Sequence, residues 1–146
     1  MSTQKSRGGH VLVLGSGLVC PPLVSYLTGY GYTLTLASRT VSKSQSIISS
    51  LPSIQQSLVT AVSHDIESEA AGFPVLDQLM IACDLCVSLL PAIHHVKAAR
   101  IALQRKKHFF TTSYVSPEMA ELDTAVKEAG LCFLNEAGLD PGQCQC

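Results

Sequence analysis

The stretch His10-Val11-Leu12-Val13-Leu14-Gly15-Ser16-Gly17-Leu18-Val19-Cys20 decides the fold. His10 to Leu14 is a short, mostly apolar run that stops at Gly15, the signature of a strand buried on both faces. From Gly17 to about Thr28 the apolar residues Leu18, Leu23, Val24 and Leu27 recur at helical spacing, and Gly29 and Gly31 close the run. A strand, a glycine turn and a helix therefore follow one another within the first thirty-odd positions. Pro21 and Pro22 fall in the first helical turn, where a missing N–H costs little.

The alternation continues outward from there. Tyr32 to Ala37 reads as a second strand, Ser42 to Leu51 as a polar helix stopped by Pro52, and Ser57 to Val62 as a third strand. A helix is expected near Val75 to Ile81, with Gly72 and Pro74 blurring its start. Leu85 to Leu90 is a fourth strand ended by Pro91. A helix over Ile93 to Lys106 follows, with Ile93, Val96, Ala99, Ile101 and Leu103 as candidate core positions. His108 to Thr112 is a fifth strand. Ser116 as N-cap and Pro117 at the first helical position open a helix to Glu128, closed by Gly130. Leu131 to Leu134 is a sixth strand. Six strands with a helix in every gap predict an α/β fold, a doubly wound parallel six-stranded sheet of the Rossmann type with strand order 3-2-1-4-5-6.

The bulk properties agree. At 146 residues, 47% apolar and 14% charged, the chain has the size of one domain and the composition of a well-filled core. A net charge of −1 argues against a nucleic-acid binder or a membrane-surface protein held by bulk charge. With no Trp and 5% aromatic residues it is a poor stacking platform for single strands. Residues 1–9 are polar and carry no apolar segment of an export signal, so they read as a flexible tail. The six cysteines then read as reduced thiols of a cytoplasmic protein. The expected domain is 10–142, with an aberrant or frayed end at 143–146.

The glycine turn sits where such sheets bind phosphate. Gly15 permits the tight turn, Gly17 lets a pyrophosphate approach the backbone, and the helix start supplies N–H groups. Cys20 replaces the third glycine of the pattern and is small enough for helix–strand packing. At the end of the second strand, where an acid would hold the ribose 2′-OH of NAD, the chain has Ala37-Ser38-Arg39-Thr40. Met1 to His64 contains no Asp or Glu. Arg39 suits a 2′-phosphate by a forked, charge-assisted contact, Ser38 and Thr40 offer hydroxyls, and Lys43 adds charge. The expected cofactor is NADP(H).

Further segments carry a resemblance. With Val11–Gly17 and Ala37–Thr40 come Val87-Ser88-Leu89-Leu90-Pro91, then Thr112-Ser113-Tyr114-Val115-Ser116-Pro117, then Asn135-Glu136-Ala137-Gly138-Leu139-Asp140-Pro141-Gly142. In these the chain resembles the saccharopine reductase family, the NADP-dependent, glutamate-forming saccharopine dehydrogenases. The resemblance implies an oxidoreductase of lysine metabolism that reduces the imine of glutamate and 2-aminoadipate 6-semialdehyde to saccharopine, or runs the reverse. It implies cofactor contacts at Gly15, Ser16, Gly17, Leu18 and Val19, at Ser38, Arg39 and Thr40, and at Asp65 and Ile66 by the adenine. Further contacts fall on Ser88, Leu89 and Pro91, on Thr112 and Ser113, and on Leu139, Asp140 and Pro141. Substrate would meet Ser113, Tyr114 and Asp140. The implied partners are these amino-acid substrates, with no nucleic acid and no membrane.

Two departures stand out. The family's long second domain, which supplies much of the substrate site and the dimer contacts, does not follow, so a homodimer is expected only with that domain present. After Gly142 the chain reads Gln143-Cys144-Gln145-Cys146 in place of the family's continuation. The expectation is a cofactor-binding half truncated before the substrate domain. Two alternatives stay open, an inert NADP-binding module and a related reductase with another amino-acid or polyamine imine.

Other constellations read as structural. Cys83 and Cys86 form a CxxC, but Cys86 lies inside a strand and the thiols are expected to pack; zinc or redox chemistry needs a different setting. No metal site is expected. His94 and His95 begin a helix near the expected nicotinamide side. They read as partly exposed helix-start residues, with proton transfer as the alternative. Arg105-Lys106-Lys107 reads as a solvated helix end. The sixth strand would be a sheet edge with exposed apolar surface. No catalytic residue is assigned, and solvent is able to supply the proton that imine reduction needs.

Overall fold

The computed structural model describes residues 8–137. Its centre is a parallel sheet of β1 (His10–Leu14), β2 (Thr33–Ser38), β3 (Val59–Ser63), β4 (Leu85–Ser88), β5 (His108–Thr111) and β6 (Phe133–Leu134), in the order β3-β2-β1-β4-β5-β6. This is the expected order, with chain direction reversing its sideways progress at β1, between β2 and β4. Leu14 pairs with Ala37 of β2 and with Ser88 of β4, so the carboxyl ends of the three strands lie level.

Because β1 is central, its side chains are buried on both faces. Leu12 and Leu14 enter one core with Leu76, Met80, Ala98, Ala99, Ile101 and Phe109. Val11 and Val13 enter the other with Cys20, Val24, Leu34, Leu36, Ile47 and Val59. The two faces are covered by α1 (Cys20–Gly29), α2 (Val41–Ser49) and the single turn α3 (Ser53–Gln56) on one side, and by α4 (Pro74–Ala82) and α5 (His95–Gln104) on the other. Two short helices, α6 (Pro117–Ala120) and α7 (Asp123–Glu128), precede β6. Removing Phe109, whose ring is fully buried, would cost about 3–5 kcal/mol.

Local chemistry accounts for the boundaries and for the places where the expectation shifts. α1 begins at Cys20, not Gly17, and Leu18 stands 98% exposed outside its apolar face. Ser116 caps α6 as expected, its hydroxyl accepting the Met119 N–H at 3.1 Å. The helix from Pro117 to Glu128 is nevertheless split. Leu122 N–H bonds the Met119 carbonyl, an i→i−3 contact that tightens the turn between α6 and α7. Ala92–His94 forms a single 3-10 turn ahead of α5. That shifts the helical phase, leaves Ile93 75% exposed and gives the core face to Ala98, Ala99, Ile101 and Ala102.

Cys20, Cys83 and Cys86 are buried free thiols. Burial pushes Cys20 and Cys83 up to about 11 and raises Cys86 as well, so all three are protonated and pack as small apolar groups. Arg105 is not merely solvated. Its guanidinium makes a forked contact with Asp77 at 2.6 Å through both oxygens, holding α5 to α4. At the β6 edge, Tyr114, Val115 and Leu134 are exposed beside a groove lined by Met119, Leu122, Val126 and Phe133. Among the described residues no helix is long and apolar enough to cross a membrane.

Candidate functional site

The carboxyl ends of β1, β2, β3 and β4 border a cleft of about 280 Å³. Gly15, Ser16, Gly17, Ser38, Arg39, Thr40, Asp65, Ile66, Leu89 and Pro91, all expected from sequence, line it together. It opens at the point where the strand order reverses, the position at which sheets of this kind take ligands.

Its floor is the glycine turn. Gly15 has φ +101°, and a Cβ there would stand 3.1 Å from the Leu89 carbonyl oxygen, so only glycine fits without strain. A Cβ on Gly17 would meet nothing within 4 Å and would project into open space. Among the described residues, no acceptor engages the N–H groups of Ser16, Gly17, Leu18 or Val19. Pro21 and Pro22 remove two N–H groups from the first turn of α1, so this run is the donor set that remains for an anion. Leu18 and Val19 stand outside the cleft lining.

The wall beyond β2 carries the charge. Ser38, 6% exposed, has its hydroxyl committed within the protein, 2.9 Å from the buried Ser44 Oγ and donating to the Thr40 carbonyl at 3.2 Å. It shapes the loop that presents Arg39. The Thr40 side chain caps nothing, although Thr40 is the N-cap of α2 and lines the cleft. Arg39 is not free of acids, as its sequence neighbourhood suggested. Glu67, from the loop between β3 and α4, places Oε2 at 3.6 Å from Arg39 Nη1 and Oε1 at 3.2 Å from His94 Nε2. One carboxylate thus joins the two walls of the cleft.

Two buried networks hold those walls. His64 Nε2 lies 2.6 Å from Glu69 Oε2, with both side chains almost fully buried. The other Glu69 oxygen accepts the N–H groups of Val75 and Leu76, the latter at 3.0 Å, and so caps the start of α4. The second network surrounds His95. Its Nδ1 lies 2.9 Å from Ser88 Oγ, and its Nε2 lies 2.8 Å from Ser113 Oγ and 2.9 Å from Thr111 Oγ1. Burial, with a smaller contribution from His94, lowers the pKa of His95 and keeps the ring neutral.

These facts correct the reading of the histidine pair as partly exposed. His94 is 5% and His95 3% exposed. Hydroxyls arriving from β4 and β5 give His95 partners that its own helix does not contain. Ser88 is fully buried and turned to His95, away from the cleft. Thr112, Ser113 and Tyr114 lie at the end of β5, outside the cleft lining, on the side toward which a dinucleotide crossing the turn would extend. His64, Glu67, Leu90 and His94 line the cleft without having been named as contacts from sequence. The position of His64 and Glu67 directly beside Asp65 and Ile66 was the only signal available for them. Leu139, Asp140 and Pro141 lie outside the described residues.

The Gly15–Val19 backbone, the open space at Gly17 and the exposed guanidinium of Arg39 fit the phosphates of NADP(H). Residues 11–134 match the family described as "Saccharopine dehydrogenase NADP binding domain". The chain is 42% identical over 132 residues to a saccharopine dehydrogenase [NADP(+), L-glutamate-forming] of Pyricularia oryzae, covering 90% of this chain and 27% of that protein. It is 36% identical over 143 residues to the mitochondrial alpha-aminoadipic semialdehyde synthase of Rattus norvegicus, covering 97% of this chain and 14% of that one. A solved apo saccharopine dehydrogenase (L-Glu forming) from Saccharomyces cerevisiae superposes with a TM-score of 0.77 at 32% identity, over 92% of this chain and 28% of that chain. Shikimate dehydrogenase of Mycobacterium tuberculosis shares the fold, with a TM-score of 0.64 at 22% identity. The chain therefore spans between about one seventh and about one quarter of the curated relatives it matches.

Proposed function

The chain belongs to the saccharopine dehydrogenase NADP-binding domain family, and on that premise we propose that residues 10–142 form the NADP(H)-binding half of an oxidoreductase of lysine metabolism. The reaction is the reduction, by NADPH, of the imine of glutamate and 2-aminoadipate 6-semialdehyde to saccharopine, or its reverse. The observation that carries the reading is the cleft, which an unengaged backbone turn after β1 and an exposed arginine after β2 line together, at the strand ends where a pyrophosphate and a 2′-phosphate are held in such sheets.

In this reading the cofactor supplies the hydride when bound, and this chain's residues bind and orient. The N–H groups of Gly17, Leu18 and Val19 face the pyrophosphate. Arg39 and the Thr40 hydroxyl hold the 2′-phosphate. Asp65 and Ile66 border the adenine, and Leu89 and Pro91 the ribose beyond the turn. Thr112, Ser113 and Tyr114 border the nicotinamide and the substrate, and Asp140, outside the described residues, is given the role of holding the substrate's amino group. In the Pyricularia oryzae relative the matched stretch is 27% of the protein, and we assign substrate closure in such enzymes to the remainder. The buried free thiols support a reducing compartment such as the cytoplasm.

The test is calorimetric titration of the chain with NADPH and, separately, NADH, alongside an assay of saccharopine oxidation by NADP+. Tight NADPH binding with weak NADH binding is the expected result. Binding of neither nucleotide would overturn the cofactor reading. NADPH binding without turnover would support the inert-module alternative for this chain alone.

A further inference from the structure

We propose that His95 is a positioning residue for the nicotinamide end of the cofactor, acting through the Ser113 hydroxyl. This rests on the reading of the cleft as an NADP(H) site. With Arg39 after β2 and the glycine turn after β1, an elongated dinucleotide has only the ends of β4 and β5 left on which to lay its second half. Ser88 ends β4 and Thr111 ends β5, and His95 ties the two ends together from beneath.

His95 acts in the tautomer in which Nδ1 carries the hydrogen. The Thr111 hydroxyl oxygen accepts the Ser113 N–H at 3.3 Å and, in that tautomer, gives its own proton to His95 Nε2. Nε2 is then the acceptor, and Nδ1 carries the hydrogen, donated to Ser88 Oγ. Nε2 has a single lone pair, and both Thr111 and Ser113 reach it, at 2.9 and 2.8 Å. When Ser113 donates its proton to a ligand instead, Thr111 keeps Nε2 satisfied and no buried nitrogen is orphaned. Ser113, half-buried at the rim, is thus a donor held in place yet free to turn to a ligand acceptor such as the nicotinamide carboxamide oxygen. A neutral His95 is necessary for this, because an imidazolium has no lone pair to share.

The experiment compares two ligands that differ only by the dihydronicotinamide ring, NADPH and 2′-phospho-ADP-ribose, titrated into the unmodified chain, His95→Gln, Ser113→Ala and the double variant. His95→Gln and Ser113→Ala are each expected to weaken NADPH about tenfold, the loss of one ligand hydrogen bond, and to leave 2′-phospho-ADP-ribose within about twofold. The double variant is expected to be no weaker than either single one, since both act on one contact. Equal weakening of both ligands would show general loosening of the β4–β5 rim and overturn the proposal, as would unchanged NADPH binding or additive losses. Should His95→Gln fail to fold, His95→Asn is titrated in its place and judged by the same criterion, because Ser113→Ala alone reads the ligand contact and not the histidine behind it. If the unmodified chain binds 2′-phospho-ADP-ribose as tightly as NADPH, the cofactor site stands and this inference falls. If it binds neither, both fall together.

Discussion

Truncating Arg39 to alanine is expected to weaken NADPH and leave NADH almost unaffected. The guanidinium is 70% exposed and its acid partner, Glu67, stands 3.6 Å away. A forked contact with a 2′-phosphate is worth about 1.5–3 kcal/mol as hydrogen bonding to a charged group. Binding the phosphate means giving up the Glu67 contact, an exposed pair worth about 0–1 kcal/mol. The net loss in Arg39→Ala is then about 0.5–3 kcal/mol, or about 2- to 150-fold in Kd. The same arithmetic makes Glu67 a competitor of the phosphate, so Glu67→Gln is expected to tighten NADPH by up to about fivefold, more at low salt than at high. NADH lacks the 2′-phosphate and registers neither change. Calorimetric titration of both nucleotides into both variants at two salt concentrations reads all of this. Equal weakening of NADH and NADPH by Arg39→Ala would refute the reasoning, because the arginine would then be supporting the loop and not reading the phosphate.

Glu69→Ala is expected to cost about 3–5 kcal/mol in urea unfolding, since it strips a buried partner from His64 and the cap from α4; a loss below about 1 kcal/mol would mean that water replaces the carboxylate. Gly15→Ala is expected to cost about 1–3 kcal/mol in the same assay, from its φ of +101° and the Leu89 carbonyl at 3.1 Å, and to abolish nucleotide binding. Stability is expected to fall with acid. Burial lowers the pKa of His95, and that of His10 too with Asp84 opposing, so below the ordinary histidine value the unfolded chain takes up protons that the folded chain refuses. The stability these groups contribute is present above about pH 6.5 and is lost as pH falls through their lowered folded values; unfolding midpoints between pH 8 and pH 5 check it, and His95→Gln flattens the slope. Native-state thiol labelling read by mass spectrometry is expected to mark the exposed Cys132 and spare Cys20, Cys83 and Cys86 until unfolding.

The amino-acid sequence alone specifies the sheet. Apolar runs bounded by Gly and Pro mark strands buried on both faces, and six of them with right-handed crossovers fit the doubly wound order that the hydrogen-bonded pairing matches. It also determined the glycine turn, because backbone geometry at Gly15 is a local property that a residue type reports directly. The same locality let Ser116 be read as a cap. Tertiary structure alone decided the electrostatics and the polar packing. The first sixty-four positions hold no acid, yet Glu67 reaches Arg39 across the loop after β3, because the charge a group feels depends on distance through space. The same reason put His94 and His95 out of reach of the sequence. Two adjacent polar residues at a helix start read as exposed. His95 is buried among hydroxyls from Ser88, Thr111 and Ser113 that converge on its imidazole, brought there by the parallel pairing of β4 with β5, and His94 is buried with Nε2 against Glu67. Periodicity reports which face a residue occupies, but hydrogen-bond satisfaction is a sum over neighbours that only the folded chain assembles.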